Sequence, residues 1–340
     1  MTADGQSRRH GKTRPATVYA AIDLGTNNCR LLVARPTDDG FRVIDAYSRI
    51  VRLGEGLGET GRLGEAAMDR TIQALGICAA KMRRRRVDRA RLVATDACRR
   101  AANRSGFFER VEAETGLWLE AISSEEEARL GLIGCAPLFA ADKRRALVFD
   151  IGGGSTEVTI VDTGAASGAN TTRATGWISL PFGVVGLSER YSGGSMTCER
   201  YGAMVSDVDR ALAPFCARND IGASVRRCEL QMLGASGTVT TLTGIDLNLP
   251  RYDRGAVDGA FLDFGAIRAI SDRLRRMDCA ERAAEPCIGA ERADLVVAGC
   301  AILEAMCRRW PVGRLRVADR GLREGILIDL MAAGKNHAAP

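Results

Sequence analysis

Short apolar runs closed by acidic, glycine-bearing turns set the rhythm of this chain. Val18–Ile22 is a β-prone run that meets the turn Asp23-Leu24-Gly25-Thr26-Asn27-Asn28, and a second apolar run follows from Cys29 to Ala34. The pattern predicts strand, acidic turn, strand. From Ala66 to Met82 the apolar positions Met68, Ile72, Leu75, Cys78, Ala79 and Met82 recur near helical spacing, and the segment ends in Arg83–Arg86. Four cations there suit a helix C-terminus and a solvated face. Arg91–Ala94 reads as a brief strand leading into Thr95-Asp96-Ala97-Cys98-Arg99, and Ser105–Thr115 as a helix.

The opening pattern then returns. Ala146–Phe149 is an apolar run, followed by Asp150-Ile151-Gly152-Gly153-Gly154-Ser155-Thr156-Glu157 and by Val158–Val161. Laid over the first copy, Asp23 falls on Asp150, Gly25 on Gly152, Asn28 on Ser155 and Arg30 on Glu157. Two matched strand–turn–strand units imply a duplicated domain. A third turn, Gly234-Ala235-Ser236-Gly237-Thr238, follows the apolar Leu230–Leu233 and leads into a segment of helical character. Residues 163–175 are small and polar and predict a hairpin loop.

Composition narrows the class. At 340 residues and 46% hydrophobic, the chain holds enough apolar material for two ordinary domains, which excludes a disordered chain. The net charge of +6 points toward an anionic partner, but Arg8, Arg9, Lys12 and Arg14 against Asp4 put half of it on residues 1–16. That stretch is expected to be a disordered basic tail. Only four of the 48 basic residues are Lys, a bias that fits a GC-rich genome better than phosphate recognition. The eleven Cys form no CxxC pair, and the two His lie at positions 10 and 337, near the ends. A zinc site and a Ser-His-Asp or Cys-His catalytic arrangement are therefore not expected. No apolar run approaches a membrane span, and no secretory-type segment follows the tail. A cytoplasmic protein with neither a membrane nor a nucleic-acid partner is the expectation.

A glycine-rich turn after a strand exposes backbone N–H groups to phosphate oxygens, and Thr26, Asn27, Asn28, Ser155 and Thr156 add neutral donors. Acids at the strand ends would repel phosphate unless a cation lies between. Asp23, Asp150 and Glu157 thus make sense as direct or water-mediated holders of Mg²⁺. There is no Gly-x-x-x-x-Gly-Lys-Ser/Thr loop, and no Gly-x-Gly-x-x-Gly opens a helix. Without a usable His, a carboxylate is the expected base. Ile122-Ser123-Ser124-Glu125-Glu126-Glu127-Ala128-Arg129 begins a helical stretch one helix and loop ahead of the second turn, a spacing that could aim one acid into a cleft.

Taken together, Ala21–Asn27, Thr95–Arg99, Ile122–Arg129, Phe149–Glu157, Gly234–Thr238 and Ala318–Gly325 resemble the exopolyphosphatase / guanosine pentaphosphate phosphohydrolase family of the actin-like ATPase superfamily. The motifs run in family order from residue 18 to about 330. The resemblance implies an α/β fold of two actin-like (ribonuclease H-like) domains with the active site in the interdomain cleft. It places one domain at 17–124 plus about 320–332 and the other at 125–319, because the Leu322-Arg323-Glu324-Gly325 helix is expected to return to the first. It implies Mg²⁺-dependent release of terminal phosphate from inorganic polyphosphate or guanosine pentaphosphate. Glu127 would be the base, Asp150 and Glu157 would lie near metal and phosphate, and Arg30 and Arg99 would face phosphate.

The chain departs from the family where Thr26-Asn27-Asn28 replaces Ser-Asn-Ser and where Ser124 replaces a glycine. Activity with an altered substrate fit is expected. The long C-terminal extension of larger members is missing, which implies a short form better suited to short chains. Members of the family often dimerise, and nothing in this sequence gives an interface. A superfamily kinase and a non-catalytic sensor of (p)ppGpp or polyphosphate are the competing readings. The Glu-Glu-Ala-Arg and Leu-Arg-Glu-Gly elements count against the kinase, and intact Glu127 and Asp150 against the sensor.

Overall fold

The computed structural model describes residues 17–164, 172–193 and 196–336. The expected tail, 1–16, and the centre of the 163–175 loop lie outside the described residues. Two mixed sheets carry the chain. The first is built from β1 (Tyr19–Leu24), β2 (Asn28–Thr37), β3 (Gly40–Ile50), β4 (Arg89–Ala94) and β5 (Glu120–Ala121), in the order β3-β2-β1-β4-β5. The second uses β6 (Arg145–Ile151), β7 (Thr156–Asp162), β8 (Arg173–Leu180), β9 (Leu230–Gly234), β10 (Phe261–Asp263) and β11 (Arg314–Val317), in the order β10-β11-β9-β6-β7-β8.

The repeat seen in the sequence is a repeat of topology. β1 and β2 pair antiparallel with β4 parallel beside β1, and β6 and β7 pair antiparallel with β9 parallel beside β6. The two hairpin turns close on the same bond: Gly25 N–H donates to the Asn28 carbonyl and Gly152 N–H to that of Ser155, both at 2.9 Å. Register places Asp23 opposite Arg30 and Asp150 opposite Glu157. β3 is absent from the sequence reading. None of its eleven residues is fully buried, and exposed positions fall on both faces, so they carry little of the apolar alternation that marks a half-buried strand. The helix expected at 66–82 runs Glu65–Arg85, and its terminal Lys81, Arg84 and Arg85 grip the Asp45 carboxylate of β3.

Two helices join the halves. Ser123 caps the helix Ser124–Cys135, its hydroxyl accepting from Glu126 N–H at 3.1 Å, and three acids in the first turn complement the helix dipole. Leu130 of that helix packs with the first sheet, while Leu132 and Cys135 pack with Val148 and Leu233 of the second. The helix Leu322–Asn336 lays Leu322, Ile326, Leu327 and Met331 on Tyr19, Ala21, Leu32 and Val93 of the first sheet. These helices cross almost backbone to backbone: a Cβ at position 325 would lie inside the Leu130 carbonyl, so only glycine fits there. Among the described residues no helix is long and apolar enough to cross a membrane.

Candidate active site

Both hairpin turns open into one cavity of about 120 Å³ between the sheets. Its lining holds Asp23, Gly25, Thr26, Asn27, Asn28 and Arg30 from the first turn, Asp150 and Gly152–Ser155 from the second, and Gly237 and Thr238 from the third. The turns touch directly: a Cβ at Gly154 would fall on the Asp96 carboxylate and within 2.7 Å of the Thr26 hydroxyl. Glycine there lets one phosphate-type loop rest on the other.

The cavity concentrates unmet hydrogen-bonding capacity. Thr26 Oγ1, Asn27 Oδ1, Asn28 Oδ1 and Thr241 Oγ1 are buried side-chain atoms with no hydrogen-bond partner among the described residues, and the buried Arg99 Nη2 has only the Asp96 carboxylate, 3.8 Å away. The first four residues line the cavity, and Arg99 stands behind Glu127. Leaving such groups unpaired costs about 1–3 kcal/mol each, a cost that a polar ligand would relieve. Arg30, Arg292 and Arg323 likewise make no side-chain hydrogen bond or ion pair among the described residues, and they converge on an adjoining cavity of about 450 Å³. Burial pushes the Arg292 and Arg323 guanidinium groups below their ordinary range, with Arg30 repelling both.

The structure distinguishes among the three adjacent acids. Glu126 is clasped by Arg129 at 2.6 Å and Arg91 at 2.8 Å, which hold its carboxyl down at about 2 and leave it a poor proton acceptor. Glu127 faces the cavity with one oxygen 2.6 Å from Arg99 Nη1. Burial, together with repulsion from Glu157, raises its carboxyl well above the usual range, and Arg99 only partly offsets this. Asp150 opens onto cleft water yet sits deep between the sheets. That enclosure and the neighbouring Glu157 raise its carboxyl to about 7. Asp23 is raised by burial and moderated by Arg30 and Arg323.

Other expected site residues sit further back. Arg99 also donates to the Ile122 carbonyl at 3.2 Å and reaches the cavity through Glu127. Thr156 turns its hydroxyl to the Phe182 carbonyl at 2.5 Å. Glu157 lies behind the floor, where one carboxylate oxygen accepts from Ser155 at 2.6 Å and Ser179 at 2.9 Å. It shares a small inner cavity with Glu127 and Asp150. Gly234 ends β9 against Phe149. Ala235 and Ser236 border the adjoining cavity, and the Ser236 hydroxyl caps the helix Gly237–Asp246 by accepting from Val239 N–H. Thr95, Asp96, Thr241, Arg292 and Arg323 line these cavities without having been singled out from sequence. Thr95, Asp96 and Arg323 lie within quoted motifs, but Thr241 and Arg292 carry no turn signature of their own.

The donor set fits a hard divalent ion. The Asp23 and Asp150 carboxylates face the cleft without a hydrogen-bond partner among the described residues. No group of three His, Cys, Asp or Glu able to hold a metal occurs among those residues. An ion there would complete its shell with water and ligand oxygens, which is the habit of Mg²⁺.

The Ppx/GppA phosphatase family model matches residues 32–333. The Aquifex aeolicus Ppx/GppA family member is 30% identical, with a TM-score of 0.76 over 95% of this chain and 100% of that one. An exopolyphosphatase-like protein is 31% identical, with a TM-score of 0.85 over 93% and 98%. An exopolyphosphatase from Cytophaga hutchinsonii, at 23% identity, shares the fold with a TM-score of 0.82 over 93% and 98%. With two hairpin turns facing one cleft, and with that match across most of its length, the chain belongs to the Ppx/GppA phosphatase family.

Proposed function

We propose that this chain is a Mg²⁺-dependent exopolyphosphatase that releases terminal orthophosphate from inorganic polyphosphate, short chains foremost. The observation that carries the reading is the convergence, on the cleft that Glu127 overlooks, of buried polar atoms with no hydrogen-bond partner among the described residues. In this reading the turn N–H groups other than those of Gly25 and Gly152, together with the Thr26 hydroxyl, receive the terminal phosphate. Asp23 and Asp150 would hold Mg²⁺, which would supply charge neutralisation for the phosphoanhydride. Glu127 takes a proton from a water whose oxygen attacks the terminal phosphorus in line. The bridging P–O bond breaks, and the shortened chain departs with its electron pair. A raised carboxyl suits that role, because a more basic carboxylate accepts the proton more readily than an ordinary glutamate.

The three unpaired arginines form a short cluster rather than a long track, in keeping with short chains. Their cavity, with Tyr252 at its edge, also has room for a nucleoside, and this observation favours guanosine pentaphosphate as the alternative substrate. We take 17–124 with about 320–332 as one actin-like domain and 125–319 as the other. The helix Leu322–Asn336 resting on the first sheet supports that division. Eleven cysteines without a disulfide among the described residues suit a reducing, cytoplasmic setting.

Phosphate release from tripolyphosphate, long-chain polyphosphate and guanosine pentaphosphate, measured side by side with Mg²⁺, tests the reading. Glu127→Gln is expected to lose about 10²–10⁴-fold in turnover while still binding substrate. Near-full turnover by that variant would remove Glu127 as the base. Tight binding with no release by the unaltered protein would make it a sensor.

A further inference from the structure

The segment after β3 is fastened to the first phosphate-type turn. Val51 N–H and Arg52 N–H both donate to the Asn27 carbonyl, at 2.9 and 3.1 Å, and Gly54 N–H donates to that of Thr26 at 2.9 Å. Arg52 holds this turn at φ 50°, in the left-handed region that glycine occupies without cost and other residues at roughly 1–2 kcal/mol. A position needed only for its backbone would be better served by glycine, so the Arg52 side chain needs a reason.

That side chain crosses the cleft. Its Nη1 and Nη2 donate to the two carboxylate oxygens of Asp294 at 2.9 and 3.2 Å, and Nη2 also reaches the Glu291 carbonyl at 3.3 Å. Asp294 lies two residues beyond Arg292 and immediately before Leu295 and Val296, which line the cleft. A second clasp stands beside the first: Gly56 N–H donates to Glu189 at 3.3 Å, and the neighbouring Ser188 hydroxyl donates to the Asp294 carbonyl at 3.1 Å. A fork-to-carboxylate pair constrains direction as well as distance, unlike a single-point contact.

We propose that Arg52 is a positioning residue whose two-pronged hold on Asp294 sets the segment bearing Arg292 against the first phosphate-type turn and so fixes the aperture of the cleft for an oligophosphate. The substrate named rests on the function proposed above, whereas the clasp itself does not. Arg52 touches no reacting atom. It acts through Asn27 on one side and through Arg292 on the other, so its loss loosens binding while leaving Glu127 and its water in place.

The test uses the full chain with Arg52→Gly, Asp294→Ala and the exchanged pair Arg52→Asp/Asp294→Arg. Hydrogen exchange without ligand is expected to quicken in residues 291–296 and 25–28 for both single variants and to slow again in the exchanged pair. With tripolyphosphate, KM is expected to rise about threefold to tenfold and kcat to stay within about twofold, a size set by one partly exposed but bidentate ion pair. Arg52→Gly is expected to melt no lower than the unaltered protein, because it relieves the left-handed strain, so a weakened KM cannot be put down to unfolding. Unchanged exchange at 291–296 in both single variants overturns the proposal, as does a matching fall in kcat with KM constant. Should the protein release no phosphate from any substrate, the exchange pattern still judges the clasp while the functional reading fails.

Discussion

Replacing Asp150 with asparagine removes a charge that the fold accommodates poorly and that the proposed reaction would use. Enclosure between the sheets and repulsion from Glu157 lift its carboxyl from an ordinary 3.8 to about 7. Below the ordinary value the group is protonated in both the folded and unfolded chain, so it contributes no pH dependence. As pH rises from there to about 7, the unfolded chain ionises while the folded one keeps its proton, and stability falls. Above that point the loss is complete. In a dry site the loss would be roughly 4 kcal/mol, but Asp150 faces cleft water, and screening reduces it to about 1–2 kcal/mol. Asp150→Asn keeps the shape and cannot ionise, so in chelator it is expected to melt about 2–4 °C higher near pH 8 and about the same near pH 4. Added Mg²⁺ should raise the melting temperature of the unaltered protein more than that of the variant, which should have lost phosphate release. Thermal unfolding across that pH range, with chelator and then with Mg²⁺, decides the matter. A variant that melts lower near pH 8, or gains equally near pH 4, would show that Asp150 is not a strained carboxylate.

Two further outcomes follow from close approaches of backbone. Gly325→Ala drives a methyl group into the Leu130 carbonyl at the helix crossing, and neither backbone can give way cheaply. A loss of about 2–4 kcal/mol in denaturant unfolding is expected, and near-neutral behaviour would mean that the crossing is looser than described. Gly154→Ala meets the Asp96 carboxylate and the Thr26 hydroxyl, so it should separate the two turns. At least a tenfold loss of kcat/KM on tripolyphosphate with little change in melting temperature is expected, and wild-type kinetics would show that the turns need not touch.

Much of this site lies within contiguous stretches of chain. Asp23, Gly25 and Asp150, Gly152 sit at equal offsets after apolar runs, and strand–turn–strand units reveal themselves locally because alternation, strand ends and turn chemistry are short-range properties. The acids of Glu125–Glu127 could be located the same way but not ranked from their spacing, since all three favour a helix start equally. Only the resemblance singled out Glu127. In the structure Arg91 and Arg129 occupy Glu126, and it is Glu127 that faces the cleft. Arg292 went unrecognised because it stands in no motif, and its unpaired guanidinium becomes visible only beside Arg30 and Arg323, which come from distant parts of the chain.

By itself the sequence determined the duplication, the glycine turns and the pool of possible acids, because each is written in residues a few positions apart. Tertiary structure decided which of those groups are buried without hydrogen bonds among the described residues, which carboxyls are pushed above their ordinary range, and how Arg52 reaches Asp294. Those outcomes depend on desolvation and on charges brought together from opposite sides of a cleft, and neither exists until the two sheets face each other.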